Sequence, residues 1–381
     1  MNPASRLVGG LATGQIVGWG GTYFMPPVLG AAQERALGLP EGSAAIGITL
    51  MLSLSALLAP RVGRLIAAQG ARPVMTAGSV VMAAGMATMA AATSWPIFVL
   101  AWAVLGLAAP LCLSEPANAA IVQAGPAEAR RRIGILSLMT GMTATLAWPA
   151  LAWLEAEFGW RGALLATAAA NLGCAVLHWW VAPPGAAAVG AGPPAPLRWT
   201  PCLRWLAAAF TLSVIVTSGV SIYLIALLES SGLTRAGAVA MAALFGPIQV
   251  AARALEMTAG RHRSALSTAL LAMSLLPPAF LVALLPGWLP ALALVTLYAV
   301  GGGLVALMRP SCVLELSGPA GYPAVQGRVM GWVTFGMAAA PSLFAPLLAL
   351  GGPRATLLAC AAGSLASLVL LRGAIRRAPT G

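Results

Sequence analysis

This chain of 381 residues contains no lysine and no aspartate, so all 21 basic side chains are arginine and all 9 acidic side chains are glutamate. Charged residues make up only 8% of the sequence. Any ion pair must therefore join arginine to glutamate. A phosphate-binding loop that ends in Gly-Lys is excluded, so an ATP-driven pump would need a separate energising subunit.

Histidine and cysteine are also too scarce for most catalytic or metal chemistry. Only His178 and His262 occur, and the five cysteines lie in or beside apolar segments without a C-x-x-C pair. We therefore predict no metal site, no cofactor and no disulfide framework. A membrane-embedded enzyme is disfavoured because it would need a nucleophile–base pair or a metal cluster.

The sequence is instead rich in apolar residues, at 60%, in stretches long enough to cross a bilayer, which takes roughly 20 residues per helix. We predict an all-α membrane protein with twelve transmembrane helices. The first apolar stretch is too long for a cleaved signal peptide. The predicted spans are 7–32, 43–67, 73–92, 95–122, 132–154, 160–182, 203–229, 235–258, 264–285, 288–316, 327–350 and 354–375.

The arginines set the orientation. With the N-terminus inside, the inner connectors and termini hold fourteen arginines and the outer connectors only four, Arg35, Arg161, Arg235 and Arg354. This positive-inside asymmetry predicts both termini in the cytoplasm of a bacterium, with the protein in its cytoplasmic (inner) membrane. It also accounts for the net charge of +12, so we expect the lipid bilayer, and no nucleic acid, as the large-scale partner.

A Pro/Gly/Ala-rich stretch, 183–201, interrupts the apolar pattern at mid-chain and has the composition of a linker. It predicts an N-terminal bundle of six helices, 1–182, a cytoplasmic linker, and a C-terminal bundle, 202–381. The two halves echo each other weakly. Trp102 to Gly106 corresponds to Tyr298 to Gly302, about 195 residues later, as expected of a duplicated unit.

Two six-helix halves joined by a linker resemble the major facilitator superfamily, and the resemblance covers essentially the whole chain. Its helix 2–3 loop motif is matched by Gly63, Gly70 and Arg72, whereas Ala67 and Ala68 replace its acidic and basic residues. The resemblance implies two pseudo-symmetric bundles and transport by alternating access.

Within that superfamily the sequence is most similar to the monocarboxylate carrier and oxalate–formate exchanger branch. The similarity lies in Pro60 to Ile66 together with Gly70 to Met75 and Gly78, in Arg131 to Gly134 before helix five, and in Arg253 of helix eight. The branch places an aspartate four residues before that arginine, where this chain has Gln249. The similarity implies a substrate of the carboxylate type.

Ionisable residues at membrane depth are costly and are functional candidates. Arg253 lies about 12 Å from the predicted inner boundary at Arg261, at roughly 1.5 Å per residue, and its planar guanidinium suits a carboxylate. We predict that it anchors substrate, with Gln249 one turn away. The alternatives are pairing with Glu256 and snorkelling to the inner surface.

Glu115 and Arg309 are each followed by proline, and they are predicted to form an inner gate or a salt bridge between the halves. Direct substrate contact and pairing with loop arginines remain alternatives. Glu315 is predicted to pair with Arg328 in a gate. Glu115 is the best candidate to carry a coupling proton.

Four uncharged residues complete the predicted binding set: Gln15, Tyr23, Tyr223 and Trp332. The aromatic ones could instead be interfacial anchors. Together these features predict a secondary transporter of a small organic solute of the carboxylate type, coupled to protons or to exchange, and not an enzyme. The alternative is an efflux carrier for an apolar or cationic compound. No obligate protein partner is indicated.

Overall fold

The computed structural model describes residues 3–40, 42–184, 199–260 and 262–378, and all regular secondary structure in these ranges is helical. Most of the predicted linker, residues 185–198, lies outside the described residues, as does Arg261. The helices are α1 Pro3–Gly21, α2 Pro26–Leu37, α3 Ser43–Gln69, α4 Ala71–Ala90, α5 Trp95–Cys112, α6 Ser114–Ala124, α7 Ala129–Thr140, α8 Thr143–Val181, α9 Pro201–Glu229, α10 Arg235–Ala243, α11 Phe245–Ala259, α12 Ala265–Ser274, α13 Leu276–Val282 and α14 Trp288–Ile375, with a 3₁₀ turn at Pro126–Glu128.

Seven of the helical stretches among the described residues are long and apolar enough to cross a membrane, with α14 counted once. A straight α14 of 88 residues would be about 132 Å long, far more than a bilayer. It contains Gly318 and Gly352 at φ of 65° and 69°, a left-handed conformation that a continuing helix does not adopt.

Packing excludes a straight α14 directly. The Tyr298 hydroxyl donates to the Thr217 carbonyl at 2.6 Å, and Phe344 stacks on Tyr223 at 6.5 Å between ring centroids. Thr217 and Tyr223 lie on the same part of α9, whereas Tyr298 and Phe344 would be about 69 Å apart in a straight helix. The chain therefore folds back within α14. The count of twelve spans stays a prediction.

Proline explains where the predicted first span differs from the structure, which breaks it into α1 and α2 at residues 22–25. Pro26 and Pro27 have no amide hydrogen to donate to the carbonyls of Thr22 and Tyr23, so the helical hydrogen bonds stop there. Tyr23 consequently lies in a broken segment of helix.

The chain divides into two compact units. Unit 1 comprises Met1–Leu197 and Ser317–Thr334, and unit 2 comprises Arg198–Leu316 and Phe335–Gly381. In unit 1, α4 packs against α5 and α8. In unit 2, one apolar core gathers Phe280, Tyr298, Phe344 and Leu357 from α13 and α14 around α9. The boundary predicted at 183–201 stays a prediction.

Candidate functional site

Among the charged residues of unit 2 whose burial is described, Arg253 on α11 is the least exposed. Its side chain is only 8% exposed, and its Nε donates to the carbonyl oxygen of Gly303 at 3.2 Å. A buried guanidinium needs compensating acceptors. The backbone carbonyl supplies one of them without neutralising the charge, and it fixes the orientation of the guanidinium plane.

The approach occurs at three successive glycines of α14, two of which have no room for a side chain. A side chain at Gly301 would meet the Ala272 carbonyl at 2.8 Å, one at Gly302 would lie 3.7 Å from Thr217, and one at Gly303 would collide with Gln249. Successive residues point about 100° apart around a helix, so each glycine faces a different neighbour. Gly301 and Gly303 therefore let α12 and α11 pack closely on α14, whereas a side chain at Gly302 would make only an ordinary van der Waals contact with α9.

Gln249 joins Arg253 on this face of α11. It is half-buried and packs on Gly303. One turn before it, Phe245 contacts Tyr298 at 5.0 Å between ring centroids. The spacing of four residues places Phe245, Gln249 and Arg253 in one row. Phe245 contacts Tyr298 and Arg253 contacts Gly303, so residue numbers increase in the same direction along both helices. The helix α11 and this part of α14 are therefore parallel.

Unit 1 contains a matching arrangement. The Ser55 hydroxyl of α3 donates to the carbonyl of Gly106 in α5 at 3.2 Å, and a side chain at Gly47 would collide with Trp102. The helices α3 and α5 are also parallel. In both units a side chain donates to a glycine carbonyl, that of Gly106 in unit 1 and that of Gly303 in unit 2. The two glycine carbonyls, of Gly106 and Gly303, are one residue out of register with the sequence echo, which pairs Gly106 with Gly302, so the duplication stays a prediction.

Gln15, predicted to contact substrate, is 1% exposed, and both polar atoms of its side chain form hydrogen bonds within the protein. Its Nε2 donates to the Cys112 carbonyl at 3.1 Å, and its Oε1 accepts from the Ser114 hydroxyl at 3.4 Å. Pro116 cannot donate to Cys112 as a normal helical residue would. Gln15 thus pairs the carbonyl that proline leaves free at the α5–α6 break.

Glu115 lies directly after that break, in the first turn of α6. A carboxylate is favourable at a helix N-terminus because of the helix dipole, which helps to explain an acid at this depth. Glu115 is half-buried and lies within electrostatic range of the buried Tyr322. Arg309, its predicted gate partner, is half-buried and belongs to unit 2.

Tyr322 belongs to residues 317–334, the α14 segment that packs on α3 in unit 1. A side chain at Gly327 would meet the Ala59 carbonyl and would lie 2.8 Å from the Gly63 Cα atom. One at Gly331 would lie 2.8 Å from the Ala56 carbonyl. This contact of backbone against backbone is typical of Gly-x-x-x-Gly helix pairs in membranes. Arg328 is adjacent to the contact in sequence.

The loop motif residues each have a local role in unit 1. Gly63 forms the helix contact just described. Gly70, at φ 83°, ends α3 and begins α4, a conformation that favours glycine. The Nε of Arg72 donates to the Ala182 carbonyl at 2.7 Å and so ties α4 to the end of α8.

Two residues that form hydrogen bonds between helices of unit 1, Gln123 and His178, were not among the predicted site residues. Gln123 of α6 accepts from the Ala71 amide at 3.0 Å and donates to the Ile66 carbonyl at 3.4 Å. It therefore bridges the break between α3 and α4. His178 is 1% exposed and its Nδ1 lies 2.9 Å from the Ser79 hydroxyl. Neither partner is near in sequence, so no local signal marks these pairs.

The remaining predicted residues occupy varied settings. Glu315 accepts from the Ala265 amide at 2.7 Å, which caps the start of α12. Tyr23 is half-buried between Trp19 and Phe24, and Tyr223 is half-buried against Phe344. Trp332 is 56% exposed. Among the described residues, no cluster of His, Cys, Asp and Glu is arranged to hold a metal ion.

Comparison with solved structures finds similar folds in two transporters. The human organic anion transporter MFSD10 (TETRAN) is 21% identical with a TM-score of 0.78, covering 97% of this chain and 100% of that one. A variant of the E. coli fucose:proton symporter FucP is 15% identical with a TM-score of 0.72, covering 97% and 99%. FucP in the outward conformation is 14% identical with a TM-score of 0.74, covering 98% and 99%.

At these identities the likeness establishes the fold alone. No curated protein sequence matches significantly. The family model of the Major Facilitator Superfamily, however, matches residues 11–255, well over half of the chain. Members of this family are multi-pass membrane transporters and not enzymes. With an all-helical fold and a sequence match of this extent, this chain belongs to the major facilitator superfamily.

Proposed function

We propose that this protein is a secondary active transporter that moves a small organic carboxylate across the bacterial inner membrane by alternating access, with Arg253 as the anchor for the anion. The observation that carries the proposal is the setting of Arg253. It is an 8% exposed cation in an apolar helix bundle, fixed at Nε by a neutral backbone carbonyl.

The chemistry of guanidinium favours an anionic substrate. Burying a charge is costly unless another charge or several hydrogen bonds compensate for it. A carboxylate can accept two parallel hydrogen bonds from one edge of the guanidinium fork. Such a pair of hydrogen bonds would hold and orient a substrate carboxylate at Arg253. Gln249, one turn away, can add a neutral hydrogen bond.

The fold by itself does not select the substrate, since the similar solved structures include an organic anion transporter and a fucose:proton symporter. Arg253 supports the first kind of substrate. The similarity to the monocarboxylate carrier and oxalate–formate exchanger branch supports it as well. In that branch an aspartate precedes the arginine by four residues, whereas this chain has the neutral Gln249 there.

Coupling and gating belong to the same proposal. Glu115 is the candidate proton carrier, because it is a half-buried acid beside a helix break. Arg309, Glu315 and Arg328 are the candidate gate residues, and Glu115 is the candidate gate partner of Arg309. The proposal also includes twelve spans in two bundles of six, with both termini in the cytoplasm, as the arginine distribution predicts.

The test uses protein reconstituted in proteoliposomes and labelled lactate, pyruvate, formate and oxalate, each with and without an imposed pH gradient. We expect saturable uptake of at least one carboxylate. Arg253→Ala should lower kcat/KM at least about 30-fold, as when one partner of a buried charge pair is lost. Arg253→Lys should recover little of it, because lysine lacks the planar fork.

Arg376→Ala is the matched control, because Arg376 is an exposed arginine at the end of α14 in the same unit. It should transport normally. Normal carboxylate uptake by Arg253→Ala would contradict the anchor assignment. Saturable transport of apolar or cationic compounds, with none of any carboxylate, would favour the efflux carrier instead.

A further inference from the structure

The start of α9 and the end of α14 lie together at one end of unit 2. A side chain at Gly373 would collide with Trp205, and one at Gly363 would lie 3.0 Å from the Val216 side chain. Residue numbers therefore rise along α9 while they fall along α14. The two helices are antiparallel, and their polar ends share one boundary of the apolar bundle.

Two exposed arginines flank this contact. Arg204 directly precedes Trp205, and Arg372 directly precedes Gly373. Successive residues are rotated by about 100° around a right-handed helix. In an antiparallel pair, the residues that precede two facing residues consequently turn to the same side and lie at nearly the same level. With packed helix axes about 8–10 Å apart, both side chains can reach one ligand between them.

No carboxylate neutralises this pair. Within the described part of the chain, neither Arg204 nor Arg372 forms an ion pair. The acidic residues of unit 2 are placed elsewhere: Glu229 at the other end of α9, Glu256 at the Thr268 hydroxyl and Glu315 at the Ala265 amide. The adjoining sequence outside the described ranges, 185–198 and 379–381, adds Arg198 and no acidic side chain.

A third arginine adds a fixed positive charge. The Nη1 of Arg377 donates to the Gly373 carbonyl at 2.9 Å, and its Cζ lies 4.4 Å from the centroid of the Trp205 ring. These contacts hold the guanidinium against the helix contact. The site is therefore cationic by construction, and an anion is the ligand that it favours.

An apolar face leads directly to Arg372. Leu358, Leu365 and Val369 are exposed, and their spacing of seven, four and then three residues to Arg372 places all four on one side of the helix. From Leu358 to Arg372 the helix rises by about 21 Å at roughly 1.5 Å per residue, which is most of the hydrocarbon core of about 30 Å. On α9, Ala208 is exposed one turn after Arg204. The arginines thus lie where a lipid-facing surface ends, at the level of the headgroups.

We propose that Arg204 and Arg372 together bind the phosphate of an anionic phospholipid, whose acyl chains lie along Leu365 and Val369. Basic sites between transmembrane helices suit such headgroups. The absence of an acid at the described site favours a lipid of net negative charge, because the ammonium of a zwitterionic headgroup would meet only guanidinium groups. The apolar face favours a lipid phosphate over a soluble one.

The test measures binding of phosphatidylglycerol and phosphatidylcholine to the delipidated full-length protein in detergent, with glycerol phosphate as a soluble competitor. We expect phosphatidylglycerol to bind more tightly than phosphatidylcholine. Arg204→Gln and Arg372→Gln should each weaken phosphatidylglycerol about fivefold, whereas Arg372→Lys, which keeps the charge, should retain most of the affinity.

Arg354→Gln is the matched control, because Arg354 is an exposed arginine of α14 about 27 Å before Arg372 along the helix. It should bind phosphatidylglycerol as the parent protein does. A loss as large as that of Arg372→Gln would overturn the assigned position. Equal affinity for the two lipids would overturn the charge selection, and displacement of phosphatidylglycerol by an equal concentration of glycerol phosphate would overturn the lipid assignment. Thermal unfolding of each variant without lipid should match that of the parent protein.

Discussion

The contact between α3 and residues 317–334 gives the sharpest prediction on folding of unit 1. A methyl group added at Gly327 would lie 2.8 Å from the Gly63 Cα atom and 3.1 Å from its amide nitrogen. Carbon atoms in favourable contact are about 3.5–4.0 Å apart. Both obstacles are backbone atoms, so no side-chain rotation can relieve the clash, and the helices must separate by roughly 0.7–1 Å.

The energetic consequence follows from that separation. A gap of this size forfeits about a quarter to a half of the dispersion energy of each contact it widens, including those at Gly331. Overpacking of this kind costs typically about 1–3 kcal/mol, and the helix preference of alanine over glycine returns only about 0.5–1 kcal/mol. The difference between these two terms has its midpoint at about 1 kcal/mol, so we expect Gly327→Ala to destabilise unit 1 by that amount.

Gly321→Ala is the control, because a methyl group there meets only the Ser317 side chain at 3.6 Å. It should be neutral or slightly stabilising by up to about 1 kcal/mol. The measurement is reversible unfolding of purified protein in mixed micelles, followed by circular dichroism. If the two variants unfold alike, the close packing of this segment on α3 does not exist in the protein.

Two more substitutions test the helix breaks of unit 1 by the same measurement. Gln15→Ala leaves the buried Cys112 carbonyl without its 3.1 Å donor and should lower the free energy of unfolding by about 1–3 kcal/mol. The control is Thr13→Ala, at an exposed residue bonded within its own helix, which should lower it by less than about 0.5 kcal/mol. Equal effects of the two substitutions would contradict the role of Gln15. Gly70→Ala places a residue with a side chain at a φ of 83° and should lower the free energy of unfolding by about 1–2 kcal/mol. The control is Gly173→Ala, where the added methyl group would meet open space and stability should not fall. A neutral Gly70→Ala would show that α3 and α4 join differently.

The sequence points to Arg253 as a candidate but not to the group that it contacts. Arg253 stands out in the sequence because a charge in an apolar helix is costly, and the structure finds it buried. Its partner, the Gly303 carbonyl, is a backbone atom 50 residues away, and no side-chain pattern encodes it. Gln15 shows the reverse case. Its polarity suggested substrate contact, whereas the structure bonds it to a carbonyl that Pro116 leaves free. Its predicted role in substrate binding is untested.

What the sequence determined by itself is the environment and the class of the chain. Apolar runs of bilayer length, the scarcity of charge and the loop glycines identify a multi-pass membrane protein of the major facilitator superfamily, because hydropathy and turn chemistry are local properties. The tertiary structure alone decided which residues meet. The parallel pairing of α3 with α5 and of α11 with α14, the fold-back within α14, and the position of Arg204 beside Arg372 depend on contacts between residues far apart in sequence. A glycine lets two helix backbones approach closely, but the sequence does not say which helix will be its neighbour.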